Sequence, residues 1–101
     1  MKIAMNQFGT SLCTRASGRA AYALINDVLD TSSEELILFD FSDVFSVTNS
    51  FADESFGRLA SERGIDFLRQ KTSFNEINRD VALSIRAAMD RRIAQKELVQ
   101  V

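Results

Sequence analysis

Residues 34–60 read EELILFDFSDVFSVTNSFADESFGRLA, and the fold turns on how this stretch divides. It opens with an unbroken apolar run, Leu36-Ile37-Leu38-Phe39, that closes at Asp40. Four consecutive apolar residues predict a central strand over residues 34–41, buried on both faces as parallel strands are. Its end places Ala52, Phe56, Leu59 and Ala60 at the spacing of one helix face. The polar residues 46–50 between them read as a tight loop. Strand, loop and helix in that order predict an α/β domain. Ligands and partners of open α/β sheets gather at the carboxyl ends of the strands, so a working site is expected in this loop.

Ser50-x-x-Asp53 has the form of a helix-capping pattern, with Ser50 as the N-cap and Asp53 near the positive end of the helix dipole. The helix is expected to reach about residue 63 and to stop at Gly64. Phe45 and Val47 are the expected loop anchors, folding back over the core.

Upstream, residues 2–5 predict a first strand, and residues 11–13 a second that returns on it as a hairpin. Thr14 is placed to cap a helix over residues 15–30, with Ala21, Leu24, Ile25, Val28 and Leu29 on one face. Gly18, in its first turn, offers room for close backbone approach. A strand–helix–strand order demands a right-handed crossover.

Downstream, a parallel sheet needs a third strand, and two placements compete: residues 65–68 and residues 72–77. Ser73-x-x-Glu76 also resembles a capping box that would start the last helix at Phe74, and periodicity alone does not decide. From Asn78, a good N-cap, the last helix is clear, with Val81, Ile85, Ala88 and Met89 as its core stripe. Arg91, Arg92 and Lys96 read as a solvated basic helix end.

A chain of 101 residues suits a single domain over residues 1–101. Its net charge of −2 gives no pull toward nucleic acid or an anionic membrane. Apolar runs fall far short of the roughly 20 residues a membrane span needs, and the first ten residues lack a signal-peptide pattern. With one cysteine, Cys13, no internal disulfide can form. These features predict a cytoplasmic protein. The absence of histidine removes Ser-His-Asp and Cys-His catalysis and the usual zinc sites. The four glycines form no phosphate-cradling loop. No metal or cofactor is expected. Cys13 reads as a small buried apolar residue rather than an activated thiol.

Asp40, Asp43, Asp53 and Glu54 could converge at one end of the sheet. Such a cluster could dock a basic partner, hold Mg²⁺, or work as a paired-carboxylate hydrolase. The plainer alternative is dipole compensation by Asp53 and Glu54 plus two solvated loop acids. Ser50 could accept a phosphate at a helix N-terminus, but two acids within one turn would repel a dianion, and we place the cap ahead.

The runs Asp40-Phe41-Ser42-Asp43-Val44 and Ser50-Phe51-Ala52-Asp53-Glu54 resemble the signature of the STAS-like domain family of uncharacterised bacterial proteins. Thr14-Arg15, Phe56-Gly57-x-x-Ala60 with Gly64 and Phe67, and Asn78-x-x-Val81 with Ile85 extend the likeness over nearly the whole chain. The resemblance implies a small STAS-like α/β domain, a mixed sheet of about three to four strands with helices packed on it. It also implies that residues 72–77 are the strand. Anti-sigma factor antagonists of the STAS class carry a phosphorylatable serine after the central strand, modified by a histidine-kinase-like ATPase. Here the corresponding residues are Thr48, Asn49 and Ser50. The usual Asp is Thr48, and Phe51 replaces the glycine.

The function this implies is non-catalytic regulation. The domain would dock a protein partner, a histidine-kinase-like ATPase or another regulator, through Thr48, Asn49, Ser50, Asp53 and Glu54, with Ser50 as the candidate phosphoacceptor. A nucleotide-binding module and a small enzyme using the acidic cluster are the alternatives.

Overall fold

The computed structural model describes residues 1–31 and 35–99. Along the chain run β1 (Lys2–Ala4), β2 (Ser11–Leu12), α1 (Arg15–Thr31), β3 (Ile37–Asp40) and β4 (Ser46–Val47). Then come α2 over residues 49–63, α3 (Ile65–Lys71), β5 (Thr72–Asn75) and α4 (Arg79–Val99). Within α2, the turns Asn49–Ala52 and Arg58–Arg63 flank a wider π turn, Asp53–Gly57. Glu34, the expected first residue of the central strand, lies outside the described residues.

The central strand is β3, flanked by β1 and β5 in a three-stranded parallel sheet. β2 and β4 form a second, two-stranded parallel sheet. The sheet expected to be mixed is thus two small parallel ones, and the expected hairpin of β1 with β2 does not form. A short 3₁₀ turn, Met5–Phe8, carries the fully buried Met5 into the core, and the chain leaves it on a new course. β2 then meets β4, where Thr48 N–H donates to Leu12 O at 2.9 Å.

The three-stranded sheet buries one face rather than two. Ile3 lies opposite Phe39, and Ile37 and Phe39 are each 1% exposed. The intervening Leu38 is only half-buried and lies opposite Lys2 and Ser73. Alternation set by the pleat outweighs the apolar run. α2 brings Phe56 edge-on to Phe39, ring centroids 5.1 Å apart. The helices add Ala21, Ile25 and Leu29 from α1, Phe51 and Leu59 from α2, and Val81, Ile85 and Ala88 from α4.

Thr14 caps α1, accepting from Ser17 N–H at 3.0 Å. Asn78 caps α4, its Oδ1 accepting from Val81 N–H at 2.8 Å. Gly64, at φ 87°, ends α2 with its N–H on Ala60 O at 2.9 Å. Its positive φ is what lets the chain turn there. Residues 65–71 are helical and Thr72–Asn75 is the third strand, as the family resemblance implies. β5 is an edge strand, and Phe74 stays 39% exposed even though its ring packs on Phe39, Phe41 and Phe56.

Two glycines set how closely α2 is held. A Cβ on Gly18 would lie 2.8 Å from Glu54 Cβ and 2.9 Å from Phe51 O, so α1 and α2 touch backbone to backbone. A Cβ on Gly57 would lie 3.0 Å from Arg92 Cγ and 3.3 Å from Ala88 O, so α4 also packs closely, though with more room. Further along, Tyr22 donates to Glu62, Arg58 lies 3.9 Å over the Tyr22 ring, and Arg63 reaches Asp30 at 2.7 Å. No described helix is long and apolar enough to cross a membrane.

Candidate functional site

The loop after β3 is built by its own polar side chains. Asp40 accepts from Ser42 N–H at 3.0 Å and from Ser42 Oγ at 2.7 Å. Asp43 takes φ 63°, and the turn sends Val44 back into the core. Phe45 then does the opposite of what its apolar character predicts. Its N–H donates to Thr10 O at 2.9 Å and its O accepts from Asn78 Nδ2 at 3.2 Å. Its ring, however, is 68% exposed. Two backbone bonds hold an aromatic side chain out in water, while Val47 supplies the anchor against the core.

The cap of α2 is Thr48, not Ser50. Thr48 has extended backbone, and its Oγ1 accepts from Phe51 N–H at 3.4 Å. The helix thus begins earlier than the Ser50-x-x-Asp53 pattern suggests, because β4 ends at Val47 and leaves Thr48 as the junction. Thr48 and Asn49 are exposed, and Ser50, inside the first turn, is half-buried. Among the described residues the Ser50 hydroxyl has no hydrogen-bond partner.

Asp53 and Glu54 sit one turn deeper, in the π turn, and both are engaged from within the molecule. Arg92 of α4 grips Asp53 with a two-pronged bond, Nε to Oδ1 at 2.8 Å and Nη2 to Oδ2 at 3.0 Å. Planar pairing of this kind is the strong form of the arginine–carboxylate bond. Arg15 of α1 bridges Asp53 Oδ2 at 3.2 Å and Glu54 Oε1 at 3.0 Å. The Arg92 bond, aided by Arg15 and opposed by partial burial, holds the Asp53 carboxyl below the usual carboxylate range. The same contacts raise both guanidiniums, so all three groups stay charged. Two arginines and two carboxylates therefore tie α1, α2 and α4 together where Gly18 lets them close.

The four acids do not form one cluster. Asp40 pairs with Lys2 Nζ at 3.1 Å, and its carboxyl is lowered to about 2, first by Ser42 and then by Lys2. Asp43 is exposed on the turn. Among the described residues no group of three or more carboxylate or thiol side chains is arranged to hold a metal ion. Cys13 is exposed, not a buried apolar residue, because α1 turns inward only after its cap.

Arg92 is the residue that sequence reasoning misplaced. It is no solvated helix end. A signal existed: 81, 85, 88 and 92 continue one core stripe, and a charge on such a stripe needs a partner inside. For the exposure of Phe45 the sequence carries no comparable signal.

A family model described as "STAS-like domain of unknown function (DUF4325)" matches residues 18–82. That span includes β3, all of α2 and β5, and both turns that shape the loop. No curated protein and no solved structure matches the chain.

Proposed function

Because the chain belongs to the family of STAS-like domains of unknown function, we propose that it is a non-catalytic regulatory module that docks a protein partner at the end of the molecule where β4 meets α2. The observation that carries this reading is the Phe45 ring, 68% exposed on a backbone fastened at two points, beside exposed Thr48 and Asn49. A rigidly presented aromatic side chain with polar neighbours has the make-up of an interface anchor and its rim. Asp53 and Glu54 act here as braces that fix the direction of α2. The contact surface is Phe45, Thr48, Asn49 and Ser50. The partner is a protein with an apolar socket for the ring, and family resemblance points to a histidine-kinase-like ATPase or another regulator.

A second reading, phosphorylation of Ser50, is favoured by two observations. Ser50 has no capping task, and the acids that would repel a phosphate are neutralised by Arg15 and Arg92.

The test is a photo-crosslinking residue placed at position 45 or 49 in cells, with the adduct and Ser50 examined by mass spectrometry. One common protein attached at both positions, and absent when the crosslinker is at Leu98, is the expected result. Adducts that do not differ between these positions would reject the surface.

A further inference from the structure

A cavity of about 370 Å³ opens between β5, α3 and α4, and no residue of the Phe45 loop lines it. Buried Phe39 and Phe56 and half-exposed Phe74 form its aromatic side, and Ile85 and Met89 of α4 face them. Its size falls in the lower part of the range for small-molecule pockets, about 300–1,000 Å³. The charges lining it are Arg69 of α3 and Arg86 and Asp90 of α4. Among the described residues neither arginine has an ion-pair partner, although every acid of the α1–α2–α4 junction is matched. The lining therefore carries one surplus positive charge beside an apolar interior.

We propose that this cavity binds a small organic acid with an apolar body, its carboxylate held by Arg69 and Arg86. Guanidiniums bind carboxylates through paired, directional bonds, and the aromatic and aliphatic lining shields the hydrocarbon part from water. A nucleotide fits the same place less well. The interior side-chain hydroxyl, Thr72 Oγ1, already donates to Leu68 O at 2.6 Å, so away from Arg69, Arg86 and Asp90 the lining offers no side-chain donor to the polar edge of a base.

The experiment titrates the whole chain with octanoate and, separately, with octanol, following amide shifts and heats of binding. Octanoate binds and moves the amides of Leu68, Phe74 and Met89, while octanol binds at least tenfold more weakly. Arg69→Gln and Arg86→Gln, both at exposed positions, each weaken octanoate by about tenfold and leave octanol unchanged. Ala82→Phe, which fills the cavity, removes both. Equal affinity for the acid and the alcohol would overturn the proposal, as would shifts confined to other residues. Displacement of octanoate by adenosine monophosphate at lower concentration would overturn it in favour of a nucleotide. A dimer that Ala82→Phe abolishes would overturn it in favour of a second copy of the chain.

Discussion

α4 carries Arg86 and Arg92 in opposite surroundings. Arg92 is gripped by Asp53 in a junction where α1, α2 and α4 meet backbone to backbone. Among the described residues Arg86 has no ion-pair partner, at a cavity between the same helix and the edge of the sheet. The junction has matched charges and tight packing, and the cavity has neither. Acids that look available in the sequence can thus be engaged inside the fold. The groups the fold itself leaves unused include the Phe45 ring, 68% exposed, and the arginines lining the cavity.

The contrast can be broken most strongly at Gly18. Gly18→Ala puts a Cβ within 3 Å of Phe51 O and Glu54 Cβ, and the backbone oxygen cannot move aside. Overpacking of this kind costs about 1–3 kcal/mol. At about 4–8 °C per kcal/mol for a domain of this size, thermal melting registers it plainly. An unchanged melting temperature would mean that α1 and α2 are not held in register.

Next in size is the arginine comparison itself. A double-mutant cycle of Asp53→Asn with Arg92→Gln is expected to show a coupling of about 1–2 kcal/mol. Arg86→Gln, with no partner to lose, should stay within about 0.5 kcal/mol of the parent. Equal losses at the two arginines would erase the distinction between junction and cavity. A smaller difference separates Thr48 from Ser50. Thr48→Ala removes the cap of α2 and is expected to cost about 1 kcal/mol, whereas Ser50→Ala should be nearly silent. The reverse order by urea denaturation would return the cap to Ser50.

The last effect is complete at neutral pH and changes only in acid. Asp40 titrates near 2 in the folded chain, below its unfolded value of roughly 4. A carboxyl depressed by folding contributes stability above the unfolded value, and that contribution is lost as pH falls from about 4 toward 2. Asp40→Asn should flatten this part of the melting-temperature profile and leave the profile above pH 5 parallel to the parent. An equally steep acid limb in the variant would assign acid unfolding to other carboxyls.

Most of the architecture is legible in the sequence because it is local. Thr14, Asn78 and Gly64 mark helix ends by chemistry that acts within one turn, and the stripes of α1 and α4 follow from helical spacing, except that Leu24, expected on the α1 face, lies at its edge and is 36% exposed. What the sequence hides is where strands meet. Nothing near residue 11 states that Ser11 will lie beside Ser46 rather than fold back on β1. The run at residues 36–39 overstates burial because it cannot show which sheet face the helices cover. The site is legible in part: residues 48–54 do frame the start of α2. Thr48 takes the capping role from Ser50 because β4 ends immediately before it. Arg92 escapes notice because its partner lies on another helix, 39 positions away in the chain.

The strand pairings have a consequence for how the protein is made. Lys2 pairs with Leu38, Ser11 with Ser46 and Ile37 with Thr72, so partners lie 35 or 36 positions apart in every case. No ladder can close by a neighbouring turn. A topology built from such distant pairings folds slowly compared with one built from local contacts. At roughly 5–20 residues per second, a ribosome needs about 2–7 seconds after emitting β1 to emit β3. β3 in turn waits a similar interval for β5. During synthesis α1, whose contacts form along its own length, is the first element able to take shape. The nascent sheet therefore begins as a single strand whose ladder bonds stay open until its neighbours arrive.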